Sequence, residues 1–166
     1  MIRTKDLSPS LSLSSLISRG FTLIEVVIVI AIIGIIAAIA IPTFVDSQRA
    51  SWQSAAAVTL RTILTTVENF RIKSSQYPKS ETASRDGEGN ERLLFEDVTG
   101  CPPVSVNAAK TYTFKFETVN SSWYCTADTD LSSLQDFYID QSGTLRAAQS
   151  TGDGAQATST SNPFGG

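Results

Sequence analysis

Apolar and polar positions along the chain divide it into three zones. From Val26 to Ile41 no residue carries a polar side chain. With Phe21-Thr22-Leu23-Ile24 before Glu25 and Thr43-Phe44-Val45 after Pro42, this zone is about long enough to cross a bilayer. Apolar residues then recur at Trp52, Ala56, Leu60, Ile63, Val67 and Phe70 in steps of three and four, one stripe of an amphipathic helix. Ser51, Gln53, Thr62, Thr66 and Asn69 occupy its other faces. The pattern predicts one helix from Phe21 to about Ser75, bent at Pro42 and stopped by Gln76-Tyr77-Pro78. Its stripe of large side chains reads as packing surface, not as a ligand box.

The period changes in the last third. Tyr112, Phe114 and Phe116 alternate with Thr113, Lys115 and Glu117, which marks a strand with one buried face. Asn120-Ser121-Ser122 turns the chain into a second strand, Trp123 to Ala127. Gln141-Ser142-Gly143 links Phe137–Asp140 to Thr144-Leu145-Arg146. The predicted class is α+β, with a long N-terminal helix whose second half packs on an antiparallel sheet. Residues 1–20 form a leader, 21–45 the membrane half of the helix and 46–76 its amphipathic half. Residues 77–148 form the head, and 149–166, rich in Ser, Thr, Gly and Ala, a flexible tail. Residues 79–92 read as a polar loop.

Glu25 does not fit an ordinary apolar segment. A carboxylate within a membrane span costs on the order of 2.5–3.5 kcal/mol on insertion scales and so calls for a partner. A secretory signal would explain the basic leader (Arg3, Lys5, Arg19) and the small-x-small Ala38-Ile39-Ala40. The apolar stretch, however, exceeds the usual 7–15 residues of such a signal. A plain anchor explains the hydrophobicity and leaves Glu25 unexplained.

The run Arg19-Gly20-Phe21-Thr22-Leu23-Ile24-Glu25, followed by Val26 to Pro42 with an interior Gly34, resembles the type IV pilin and pseudopilin family. The resemblance covers residues 18–50. It implies cleavage by a prepilin peptidase between Gly20 and Phe21 and N-methylation of Phe21. It also implies assembly through the apolar helix into a homo-oligomeric helical filament on an inner-membrane platform. The freed amine of Phe21 lies four residues before Glu25, on one helix face. Within one chain the two are close but poorly aimed; between neighbouring chains, amine and carboxylate can pair and set axial register. Gly34 and Pro42 weaken helical hydrogen bonding, and the family likeness implies that the segment between them unwinds on assembly. The expected role is a structural subunit of a type IV pilus. The alternative is the major pseudopilin of a type II secretion system, a periplasmic piston. Adhesion, twitching motility and DNA uptake are left open.

Charge and cysteine content set further limits. Removing residues 1–20 takes Arg3, Lys5, Arg19 and Asp6, so 13 basic and 16 acidic side chains become 10 and 15, a net of −5. That argues against a nucleic-acid-binding surface. Basic residues before the apolar zone place the N-terminus in the cytoplasm and the rest outside; the family resemblance implies a head in the periplasm, then on the cell surface after assembly. In that oxidising space Cys101 and Cys125 are expected to pair. Many type IV pilins place the second cysteine close to the C-terminus; here 41 residues follow Cys125. Histidine is absent and no phosphate-cradling loop occurs, so neither an enzyme nor a cofactor is expected. No metal site is expected either. Asp86, Glu88 and Asn90 fail the calcium-loop pattern because Glu91 stands where Gly is needed. Asp128 and Asp130 form only a weak calcium pattern.

Overall fold

The computed structural model describes residues 20–83, 93–106, 111–152 and 157–164. Leader residues 1–19 and the acidic stretch 84–92, with its calcium pattern, lie outside the described residues. The chain divides between Ile41 and Pro42 into two units. One helix, α1, is continuous across the division from Leu23 to Ser74. It starts two residues later than the apolar pattern predicts because Thr22 acts as its cap. It ends where Ser75 turns left-handed (φ 58°) and donates its N–H to the Arg71 carbonyl.

In the N-terminal unit, side chains from Leu23 to Ile41 are exposed almost throughout, among them Ile24, Ile30, Ile35 and Ile39. The helix is long and apolar enough to cross a membrane. In the second unit the pattern inverts. Ala56, Ala57, Leu60, Ile63 and Val67 are buried, with Trp52 and Phe70 packed beside them. This is the stripe that the three-and-four spacing marks.

That stripe belongs to one core with a six-stranded antiparallel sheet. The strands are β1 (Glu81–Ala83), β4 (Tyr112–Val119), β5 (Ser122–Thr129), β6 (Gln135–Asp140), β7 (Arg146–Gln149) and β8 (Asn162–Pro163), side by side in that order. A two-stranded ribbon, β2 (Leu93–Leu94) with β3 (Val104–Ser105), stands apart. Tyr112, Phe114 and Phe116 face the core, as their alternation requires. On β5, Thr129, Ala127 and Cys125 lie opposite them in that order, and buried Trp123 continues the same face opposite Thr118. Asn120 and Ser121 both have positive φ and join Val119 to Ser122 in a two-residue hairpin loop. Gly143 (φ +75°) turns β6 into β7, and a Cβ there would stand 3.6 Å from Leu64 of the helix. Buried Trp123 donates its indole N–H to Glu68 Oε1 at 2.9 Å, which links sheet to helix by more than apolar contact.

Three expectations are corrected. Residues 157–164 are not a free tail: β8 pairs with β7, Phe164 donates its N–H to the Leu145 carbonyl at 2.8 Å, and its ring meets Phe137 edge-on at 4.9 Å. A Ser- and Thr-rich composition hides one aromatic anchor. The 79–92 loop contains a strand, since β1 pairs with β4 and Glu81 accepts the Phe95 N–H at 2.7 Å. Cys101 and Cys125 are buried free thiols, not a bridge. Cys101 follows the turn after Gly100 and feels the charge of Glu81 on β1. Cys125 faces the core from β5, beside Asp128 and two strands away from β1. Burial raises both thiols, Cys125 well above the ordinary thiol range, so neither is poised as a thiolate.

Two measurements check this core. Phe164→Ala should lower head stability by about 1–2 kcal/mol in urea unfolding of the detergent-solubilised chain; an unchanged midpoint would show that the C-terminal segment is not anchored. Asp128 on β5 is pushed up to about 6, first by burial and then by the charge of Asp136 on β6. Its protonated form therefore favours the folded head fully below about pH 4, and this contribution is lost as pH rises through about 6. Asp128→Asn should stabilise the head at pH 7.5 by roughly 1 kcal/mol after solvent screening, and much less at pH 4. Equal effects at both pH values would contradict the assignment.

Candidate functional site

The N-terminal apolar helix opens on a reciprocal hydrogen-bonded cap. Thr22 precedes the first helical residue, and its side chain accepts the Glu25 N–H at 3.3 Å. Glu25, three residues on, reaches back: its Oε2 accepts the Thr22 N–H at 3.3 Å and the Thr22 hydroxyl at 3.2 Å. Thr-x-x-Glu is the sequence form of a capping box, in which two otherwise orphaned amides are satisfied together. The position also puts Glu25 in the first turn, at the positive end of the helix macrodipole. The Thr-x-x-Glu spacing is present in the sequence itself.

The cap occupies one carboxylate oxygen. A carboxylate accepts about four hydrogen bonds, and among the described residues Oε1 of Glu25 receives none. Phe21, the residue before the cap, is 82% exposed. The structure therefore brings Phe21, Thr22 and Glu25 together at one helix end and leaves an oxygen of the acid open to a further donor. Gly20 precedes them, and nothing would stand within 4 Å of a Cβ added there.

Gly34 and Pro42 lie inside α1, which is helical through both. Proline has no N–H, so the Ala38 carbonyl lacks its helical donor at that turn. A Cβ at Gly34 would meet nothing within 4 Å, so the glycine is not required by packing within the chain. Elsewhere, among the described residues, no group of three or more acidic or cysteine side chains is assembled that could hold a metal ion.

Comparison with known proteins finds likeness in this segment. Residues 17–41 match the prokaryotic N-terminal methylation motif. The chain is 47% identical over 75 residues to the type IV major pilin protein PilA of Myxococcus xanthus, covering 45% of this chain and 33% of that protein. It is 36% identical over 92 residues to a fimbrial protein of Pseudomonas aeruginosa, covering 48% and 60% of the two chains. It is 35% identical over 68 residues to the type IV major pilin protein PilE of Neisseria gonorrhoeae, covering 41% of each. The chain thus spans between a third and three-fifths of the length of these relatives. No solved structure matches it.

The cap can be tested without reference to function. Thr22→Ala should cost about 1 kcal/mol at the helix start and speed amide exchange at Leu23 to Glu25 about fivefold in micelles, whereas Thr22→Ser should restore protection. Equal exchange in all three proteins would remove the capping box.

Proposed function

We propose that this chain, a member of the type IV pilin family by its N-terminal segment, is a structural subunit of a type IV pilus and not an enzyme. The observation that carries the proposal is the carboxylate of Glu25. It sits at the mouth of an exposed apolar helix within the methylation motif, with one oxygen held by Thr22 and the other open. In this reading a prepilin peptidase cuts between Gly20 and Phe21, and the new amine of Phe21 is methylated. The helix then holds the subunit in the inner membrane with its head in the periplasm.

Assembly follows from the same residues. In the membrane Glu25 is a costly charge partly satisfied by its own cap. In a filament of identical chains, the Phe21 amine of one subunit meets the open Glu25 oxygen of the next. The pair neutralises the acid and fixes the axial step, and the apolar side chains from Leu23 to Ile41 pack on their counterparts. The turn at Pro42, already short of one hydrogen bond, and Gly34 are the positions at which the helix would yield on assembly. The assembly platform and the peptidase are the partners this route requires. The likeness to pilins and fimbrial proteins supports a surface pilus over a secretion piston.

Glu25→Gln keeps the shape and removes the charge. It should leave membrane insertion intact while sheared surface filaments fall at least tenfold, the loss expected when one such pair disappears. Intact mass of wild-type filament subunits should correspond to a chain beginning with methylated Phe21. Normal filament yield from the variant, or a mature N-terminus elsewhere, would overturn the proposal.

A further inference from the structure

The outer face of the sheet, turned away from α1, carries two tyrosines that the core does not need. Tyr124 on β5 and Tyr138 on β6 are diagonal cross-strand neighbours: Tyr124 pairs with Asp140, and Tyr138 with Thr126. Their rings are nearly parallel, 20° apart, with centroids at 5.7 Å. Both are half-buried. Each phenol lies beside a carboxylate. Tyr124 donates to Glu117, which in turn pairs with Lys115, and the pKa of Tyr138 is raised first by burial and then by the nearby charge of Asp140. Asp140 is itself oriented by the Ser142 N–H, which it accepts at 2.8 Å. These bonds hold the Tyr124 phenol at about 12, first through Glu117 and then through burial, so the ring stays neutral.

Beside the rings lies an open cavity of about 230 Å3, lined by Val119, Ser122, Tyr124, Tyr138, Asp140 and Ser142 among others. It is smaller than the roughly 300–1,000 Å3 of a pocket for a drug-sized ligand. The lining combines aromatic faces with one carboxylate, hydroxyls and the Gln141 amide, and it contains no basic residue. We infer that this cavity is a binding site for a neutral hexopyranose chain. A β-linked glucose unit has equatorial hydroxyls and two apolar faces of C–H bonds. Those C–H groups suit the electron-rich face of an aromatic ring. The hydroxyls at the rim suit the acceptors of Asp140 and the donors and acceptors of Gln141 and Ser142. A uronate or a phosphate would bring its own negative charge to Asp140; Arg146, opposite Tyr138 on β7, is outside the lining and donates to the Ser161 carbonyl. Rings already stacked on each other and half-buried need little ordering on binding, which favours recognition by a small, open site.

This inference goes beyond the filament assignment and does not rest on it, since every residue involved lies in the head. The test is calorimetric titration of the full chain, in a detergent without a sugar headgroup, with cellohexaose and with hexagalacturonate. Cellohexaose should bind and hexagalacturonate should bind at least tenfold more weakly. Tyr138→Ala should weaken cellohexaose binding at least tenfold, and Asp140→Asn about tenfold. Tyr138→Phe, which keeps the ring and its packing, should change it less than threefold. The non-assembling Glu25→Gln chain should bind as wild type does, which separates this result from the fate of the filament proposal. No cellohexaose binding, equal binding of both sugars, or wild-type binding by Tyr138→Ala would overturn the inference.

Discussion

An anion at the end of an apolar helix is stable only while something donates to it, and the N-terminal unit is organised around that requirement. Thr22 supplies two donors and receives one hydrogen bond in return, so Glu25 is both a charge to be satisfied and part of what starts the helix. The two roles use different oxygens. Because the cap takes Oε2, a donor from outside can approach Oε1 without undoing the helix start. The acid therefore need not choose between capping its own chain and meeting a second one, and the start of the helix remains capped in either state.

The head solves the opposite problem. Its apolar side chains are covered within the chain, by the second half of α1 on one face of the sheet. Polar bonds fix the register of that packing: Trp123 with Glu68 joins sheet to helix, and Glu81 with the Phe95 amide joins β1 to the residue that follows β2. Phe95 is buried with a positive φ and meets Phe116 edge-on at 5.0 Å, so the local backbone strain is held by aromatic packing. With Cys101 and Cys125 unbonded, cohesion of the head rests on this core and on strand pairing. The outer face then carries residues the fold does not consume, and Tyr124 and Tyr138 are the largest of them.

Legibility in the sequence followed length and period. The helix was readable because its stripe repeats over more than five turns. β4 and β5 were readable because Tyr112, Phe114 and Phe116 alternate and a turn follows. β1, β2, β3 and β8 are two or three residues long, too short for any period to show. What fixes them is distant: Phe116 opposite Glu81, Leu145 and Phe137 against Phe164. Cys101 and Cys125 were read from the chemistry of a compartment, but which strands two cysteines occupy is set by tertiary packing. The Thr22–Glu25 spacing, by contrast, was present in the local sequence, overshadowed by the more conspicuous charge.

The two units also explain why one residue can govern the proposed assembly. Fully burying a Val, Leu or Ile side chain is worth about 1.5–3 kcal/mol against water, so the exposed apolar face of the first unit excludes an aqueous monomer by a wide margin. That gain hardly distinguishes membrane from filament, because lipid tails are as apolar as the neighbouring helices. A transfer from one to the other must draw its direction from a group that the two surroundings treat differently. Among the side chains from Leu23 to Ile41, Glu25 is the only charged one. Its cost in lipid, on the order of 2.5–3.5 kcal/mol, is what pairing with a neighbour's amine can relieve. On the proposed reading the apolar residues hold the subunit out of water, and the acid determines where it goes next.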